Sequence, residues 1–215
     1  ESSWCRYVLI FVLLVSACQS KQQDPVAKPV AEEAFPAAAK LKIDSCKPLL
    51  HNGCIVLRRG NDVISEMFSL LNKTDKTFSH CGIAFNENNT WYVYHSIGGE
   101  DNPDEKLRKD TYENFVIPLH NKGFGIYSLS SNGSVISQLH RIVDSLYARK
   151  VPFDMKFDLE SNDRLYCAEM VYKSFIKATG NDSLFSVTLH NGFRFVSTDN
   201  IFVNKQAQML CRVNY

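Results

Sequence analysis

Leu165-Tyr166-Cys167-Ala168-Glu169-Met170-Val171 places a cysteine where apolar residues begin to recur at helical spacing. Val171, Phe175 and Ala178 follow Cys167, and Gly180 supplies a terminating glycine. Far upstream, Phe78-Ser79-His80-Cys81-Gly82-Ile83-Ala84 is a β-branched and aromatic run that predicts a strand, with His80 and Gly82 on one face. A thiol at a helix start feels the partial positive charge of unpaired backbone N–H groups. A nearby imidazole completes the parts that thiolate chemistry uses. The missing side chain of Gly82 is expected to let the cysteine-bearing helix approach the sheet closely.

A catalytic imidazole needs its second nitrogen held by a polar group. Trp91-Tyr92-Val93-Tyr94-His95-Ser96 supplies one. Strands over 77–85 and 91–97, joined through Asn86-Glu87-Asn88-Asn89, form a hairpin that brings His95 across from His80 or diagonal to it. His80, His95 and Cys167 are therefore the candidate site. Glu169 lies about 200° around an ideal helix from Cys167, and both it and Asp154 are taken as structural carboxylates. His51, His120, His140 and His190 have no partner pattern. Arg58 and Arg59 suit a solvated strand edge. Neither a cofactor motif nor a metal-ligand spacing is present, and the lack of C-x-x-C argues against a zinc site or a redox dithiol.

Around these segments the pattern predicts an α+β domain. Gly53 to Arg58 suits a short buried strand, followed by a helix capped by Asn61 or Asp62 and ending near Leu71. Residues 98–109 are rich in charge and turn formers, which predicts a surface loop; 111–119 and 123–129 suit further strands. Val135, Ile136, Leu139, Ile142, Val143 and Leu146 mark a helix capped by Ser134 and closing near Arg149-Lys150. Beyond Gly180 the pattern offers loop and one or two strands. The chain has 215 residues, 45% hydrophobic and 22% charged, with a formal net charge of +1. That suits one well-buried core and gives no field to gather nucleic acid, which is excluded as the main partner.

The N-terminus has a different composition. Tyr7 to Val15 is a short apolar run behind Arg6, closing on Val15-Ser16-Ala17-Cys18, the pattern of a lipoprotein signal peptide over 1–18 with Cys18 as the lipidated residue. An ordinary secretory leader is the alternative. Residues 19–40, punctuated by Pro25, Pro29 and Pro36, suit a disordered tether, leaving 41–215 as the folded domain. The expected location is the bacterial cell envelope, with the membrane engaged through the N-terminal lipid only. Cys46, Cys54, Cys81, Cys167 and Cys211 then remain, an odd set in which Cys167 is expected to be free.

Gly53-Cys54-Ile55-Val56-Leu57-Arg58, Phe78-Ser79-His80-Cys81-Gly82-Ile83, Tyr92-Val93-Tyr94-His95-Ser96 and Leu165-Tyr166-Cys167-Ala168-Glu169-Met170-Val171 together resemble the circularly permuted papain-like enzymes of the YiiX and YaeF type. These are relatives of the NlpC-type cell-wall peptidases and of lecithin:retinol acyltransferase. The resemblance covers roughly Gly53 to Gly180 and keeps the family's order of His, third polar residue, then Cys. It implies a permuted papain-like fold, no cofactor, and Cys167, His80 and His95 as nucleophile, base and orienting residue. Ala168 stands where the family often has serine. Phe153 stands where wider relatives carry a tyrosine that supports the oxyanion. The implied activity is amide hydrolysis of a peptide, cell-wall fragment or lipid amide through an acyl-enzyme. The alternatives are a lipid acyltransferase or esterase and an inactive cleft-binding module.

Overall fold

The computed structural model describes residues 36–98, 106–190 and 192–215. Its helices are α1 Ala37–Cys46, α2 Val63–Leu70, α3 Tyr112–Val116, α4 Gly133–Ala148, α5 Cys167–Thr179 and α6 Thr198–Phe202. Its strands are β1 Cys54–Gly60, β2 His80–Glu87, β3 Thr90–His95, β4 Arg108–Thr111, β5 Asn121–Leu129, β6 Thr188–His190, β7 Phe193–Phe195 and β8 Ala207–Asn214. Six of them form one antiparallel sheet in the order β4-β3-β2-β1-β5-β8, and β6 pairs with β7 apart from it.

Strand alternation divides the core into two layers. Ile55, Leu57, Cys81, Ile83 and Phe85 face α4 and α5, where Leu139, Val143, Met170, Val171 and Phe175 meet them. Val56, Ala84, Val93, Phe124 and Ile126 turn the other way, onto Ile43 and Cys46 of α1 and Tyr112, Phe115 and Val116 of α3. Each large apolar side chain so buried contributes on the order of 1.5–3 kcal/mol. The β2–β3 hairpin closes as its sequence suggests: Asn88 and Asn89 take positive φ of 51° and 64°, a backbone that asparagine tolerates and that matches strand twist.

Several boundaries differ from the sequence pattern for local reasons. The segment 111–119 is not one strand: β4 stops at Thr111, whose hydroxyl caps α3 by accepting from Asn114 N–H at 3.3 Å. Asn132, not Ser134, caps α4, accepting from Val135 N–H at 3.0 Å, while the Ser134 hydroxyl donates to the same oxygen at 2.6 Å. Asp62 caps α2 through Ser65 N–H at 2.8 Å. Residues 37–40, assigned to the tether by composition, form the first turn of α1, because Ala39 and Ile43 have a buried face to fill. The signal peptide, Cys18 and the rest of the tether lie outside the described residues. Cys46, Cys54, Cys81, Cys167 and Cys211 are all free thiols.

Helix α5 is fixed at both ends. Gly180 closes it in the left-handed region at φ 67°. At its start the Ser96 hydroxyl donates to Leu165 O, and Tyr166 Oη accepts from Val196 N–H at 2.8 Å. Glu169 is fully buried; it accepts from Tyr166 N–H at 3.2 Å and pairs with Lys173 at 2.8 Å. Burial raises its carboxyl to about 7 against the pull of Lys173 and Tyr166 N–H. The folded pKa therefore lies above the unfolded value of about 4.3. The stability linked to Glu169 is complete below that lower value and is lost as pH rises through about 7. Urea unfolding of wild type and Glu169→Gln should show wild type losing stability relative to the variant from pH 4.5 to pH 8; parallel curves would refute the linkage.

Candidate active site

β3 stays paired with β2 only as far as Ile83↔Tyr94, and one step further His95 lies beside Gly82. A Cβ on Gly82 would fall 2.6 Å from Tyr94 O and Val93 Cγ1 and 3.0 Å from His95 Cβ. The gap expected to admit the cysteine-bearing helix is thus filled by β3. It lets His95 sit diagonal to His80 on the same face. Helix α5 arrives from the opposite face at the end of the sheet, where the Ser96 hydroxyl just past β3 holds Leu165 O.

Three adjacent strands then place three side chains in line. His80 Nε2 lies 2.9 Å from His95 Nδ1, His95 Nε2 lies 3.0 Å from Asp110 Oδ2, and Arg108 donates to Asp110 Oδ1 at 3.1 Å. Hydrogen-bonding capacity fixes the protons. An ionised carboxylate only accepts, so His95 carries its hydrogen on Nε2 and offers a lone pair at Nδ1. His80 must then donate from Nε2, which leaves its Nδ1 as the atom that faces the Cys167 sulfur. Phe115 closes the back of the row, with its ring 4.9 Å from that of His95 and 5.7 Å from that of His80.

The electrostatics fit this assignment. Burial alone would raise the Asp110 carboxyl, but the hydrogen bond from His95 and the charge and hydrogen bond of Arg108 hold it well below the usual carboxylate range. Burial lowers His95 against the pull of Asp110, which keeps the ring neutral and its Nδ1 an acceptor. Burial pushes His80 down to about 4, while the charge and hydrogen bonding of Cys167 work in the other direction. The Cys167 thiol is held well below its ordinary value: hydrogen bonding from Cys81 is the largest influence, and His80 adds to it against the cost of burial. A sulfur ionised this readily beside an imidazole can attack a carbonyl and pass its proton to His80.

Sulfur and imidazole open on a cavity of about 490 Å³. Ile64, Phe68, Ile97, Ile117, Phe153 and Phe157 form its apolar walls, with Arg58, Arg108, His120 and Asp62 among the polar ones. The chain matches, over residues 49–195, the family described as permuted papain-like amidase enzyme, YaeF/YiiX, C92 family. It belongs to that family. A solved structure described as the metalloprotein yiiX from Escherichia coli O157:H7, DUF1105, is similar at 17% identity and a TM-score of 0.62, over 77% of this chain and 98% of that one. A search of curated proteins finds no match. Among the described residues no group of three or more His, Cys, Asp or Glu side chains is placed to hold a metal ion.

In this member of the family, the three residues singled out from sequence come together, and Asp110, Arg58 and Cys81 join them. Asp110 falls on β4, at the junction between the charged stretch 98–109 expected as loop and the run from 111 expected as strand. Arg58 is no solvated edge: it is the direct cross-strand neighbour of His80, donates to Phe115 O at 3.2 Å and lines the cavity. His120, which showed no partner pattern, reaches the cavity rim, whereas His140 stacks on Phe85 at 4.2 Å well away from it. Asp154 and Glu169 serve backbone N–H groups, as expected of structural carboxylates.

Asp110→Asn removes the group that sets the proton order. An amide nitrogen can donate to His95 Nε2, which moves the His95 hydrogen to Nδ1 and sets two N–H groups face to face between the rings. Turnover should drop by roughly 10²–10⁴-fold, the range for losing a positioned base. Alkylation of Cys167 by iodoacetamide across pH should show the sulfur's titration midpoint moving in the same variant. An unchanged midpoint would show that Asp110 has no part in the row.

Proposed function

We propose that this chain is a thiol hydrolase that cleaves an amide bond through an acyl-enzyme intermediate. The observation that carries the reading is the unbroken row Asp110–His95–His80 ending at Cys167 on a cavity wall. Cys167 Sγ attacks the carbonyl carbon as His80 Nδ1 takes the thiol proton. His80 returns that proton to the departing amine, and the C–N bond breaks to leave a thioester. His80 then deprotonates water, which attacks the thioester and releases the acid and the Cys167 thiol. His95 and Asp110 orient the ring and steady its positive charge. Cys167 N–H, at the unpaired start of α5, is the donor offered to the oxyanion, since Phe153 has no hydroxyl to add.

The substrate we propose is a peptide or peptidoglycan-like amide at the bacterial cell envelope, where lipidation of Cys18 holds the domain to a membrane across the residues that follow. The apolar cavity walls favour a second reading, acyl transfer or ester hydrolysis on lipid through the same thioester. Intact-mass measurement after exposure to cell-envelope extract separates the two. A peptide-derived adduct on Cys167, absent in Cys167→Ala, supports the amidase; a fatty-acyl adduct supports the lipid reading. An alkylation midpoint near 8.5, the value of an ordinary thiol, and no adduct of either kind would mark an inactive binding module.

Anchoring has its own measurement. Wild type should partition with membranes and take up labelled fatty acid. Cys18→Ala should lose both. A variant that still carries the label would refute lipidation at that residue.

A further inference from the structure

Adjacent arginines on β1 have opposite fates. Arg59 makes a two-pronged pair with Glu66, both contacts at 2.9 Å. Arg58 points to the other face. Its Nη1 donates to Phe115 O at 3.2 Å and its guanidinium stacks 4.7 Å from the Phe115 ring centre. No carboxylate among the described residues forms an ion pair with it. Asp110 and Cys167 stand close enough to act on Arg58 electrostatically, and burial lowers it only to about 10, so it stays charged at neutral pH.

The other charges of the cavity are already engaged. Asp62 accepts from Ser65 N–H and Oγ at 2.8 and 2.7 Å. Asp110 is shared between His95 and Arg108. Arg108 is thereby committed to Asp110. What remains on the wall beside His80 and Cys167 is the Arg58 cation with donors to spare. A half-buried guanidinium with no carboxylate in direct contact leaves donors unsatisfied, and a ligand anion would complete them.

We infer that Arg58 is a specificity residue, which recognises a carboxylate borne by the substrate close to its scissile amide. A single guanidinium fork suits a monoanionic, planar carboxylate better than a phosphate dianion, for which a second uncommitted cation would be needed. The inference rests on the thiol-hydrolase reading and narrows it to amides with a free carboxylate about one residue from the bond cleaved. The apolar walls then hold the rest of the ligand.

Iodoacetate and iodoacetamide share one alkylation chemistry and differ in charge, so the ratio of their rates at Cys167 reads the anion site directly. Arg58→Gln should lower the iodoacetate-to-iodoacetamide ratio about tenfold, the scale of one lost charge-assisted hydrogen bond. Arg58→Lys, which keeps the charge without the fork, should retain part of it. Circular dichroism of both variants confirms folding, and the ratio in Arg58→Lys stands as the reading if Arg58→Gln does not fold. A ratio unchanged in the variants, with Cys167 still reactive, overturns the carboxylate site and leaves the nucleophile intact. Failure of either reagent to label wild-type Cys167 below pH 9 overturns the nucleophile and the carboxylate site together.

Discussion

The buried charge of Asp110 is the constraint on which the rest of the site depends. A carboxylate on an edge strand, largely withdrawn from water, must be fully hydrogen-bonded, and its two oxygens are taken by His95 and Arg108. That requirement fixes which nitrogen of His95 carries hydrogen, which in turn fixes His80. The proton pattern at the sulfur is therefore set two residues away. It is transmitted by strand order alone, since β4, β3 and β2 lie side by side and offer Asp110, His95 and His80 on a common face.

Sheet and helix divide the work between the two core layers. The row of polar side chains occupies the face that carries α1 and α3, beside Phe115, while α5 is held on the other face by Met170, Val171 and Phe175. The sulfur meets the imidazole only because α5 begins at the sheet's end, where β3 has left β2 and the Ser96 hydroxyl captures Leu165 O. Apolar burial supplies the energy that holds the helix, and a few polar contacts at its start set the position. Gly82 serves the same end from within the sheet by leaving room for His95. Positions that fix geometry contribute little burial of their own, and the large core side chains contribute most of it.

The elements legible in the sequence were those with strong period or firm turn chemistry. The hairpin with its two asparagines, the α4 stripe and the Cys167 helix closed by Gly180 announced themselves, and with them His80, His95 and Cys167. β4 did not. Its residues are Arg108, Lys109, Asp110 and Thr111, a charged run of the kind that protects an edge strand from pairing with another chain, and such a run is indistinguishable from a surface loop by composition. Asp110 was hidden with it, although a search for a carboxylate within reach of His95 on a neighbouring strand would have raised it. The role of Gly82 is hidden for a related reason: alternation says which face a residue shares, not whether strand or helix covers it. Arg58 looks solvated from sequence because nothing there shows that α3 covers the end of its strand.

Arg58 and Arg59 show how one strand serves both stability and recognition. Alternation sends them to opposite faces, and the outward one closes on Glu66 from α2 in a contact that needs nothing further. The inward one stacks on Phe115 and stops short of a full set of partners. Were Asp110 to turn toward Arg58 and neutralise it, His95 would lose its acceptor and the proton order at His80 would dissolve. Arg108 prevents this by occupying the second oxygen of Asp110. The same ion pair that settles the imidazoles thus keeps Arg58 unspent. A cation held in reserve beside a readily ionised sulfur suits a ligand that brings its own negative charge.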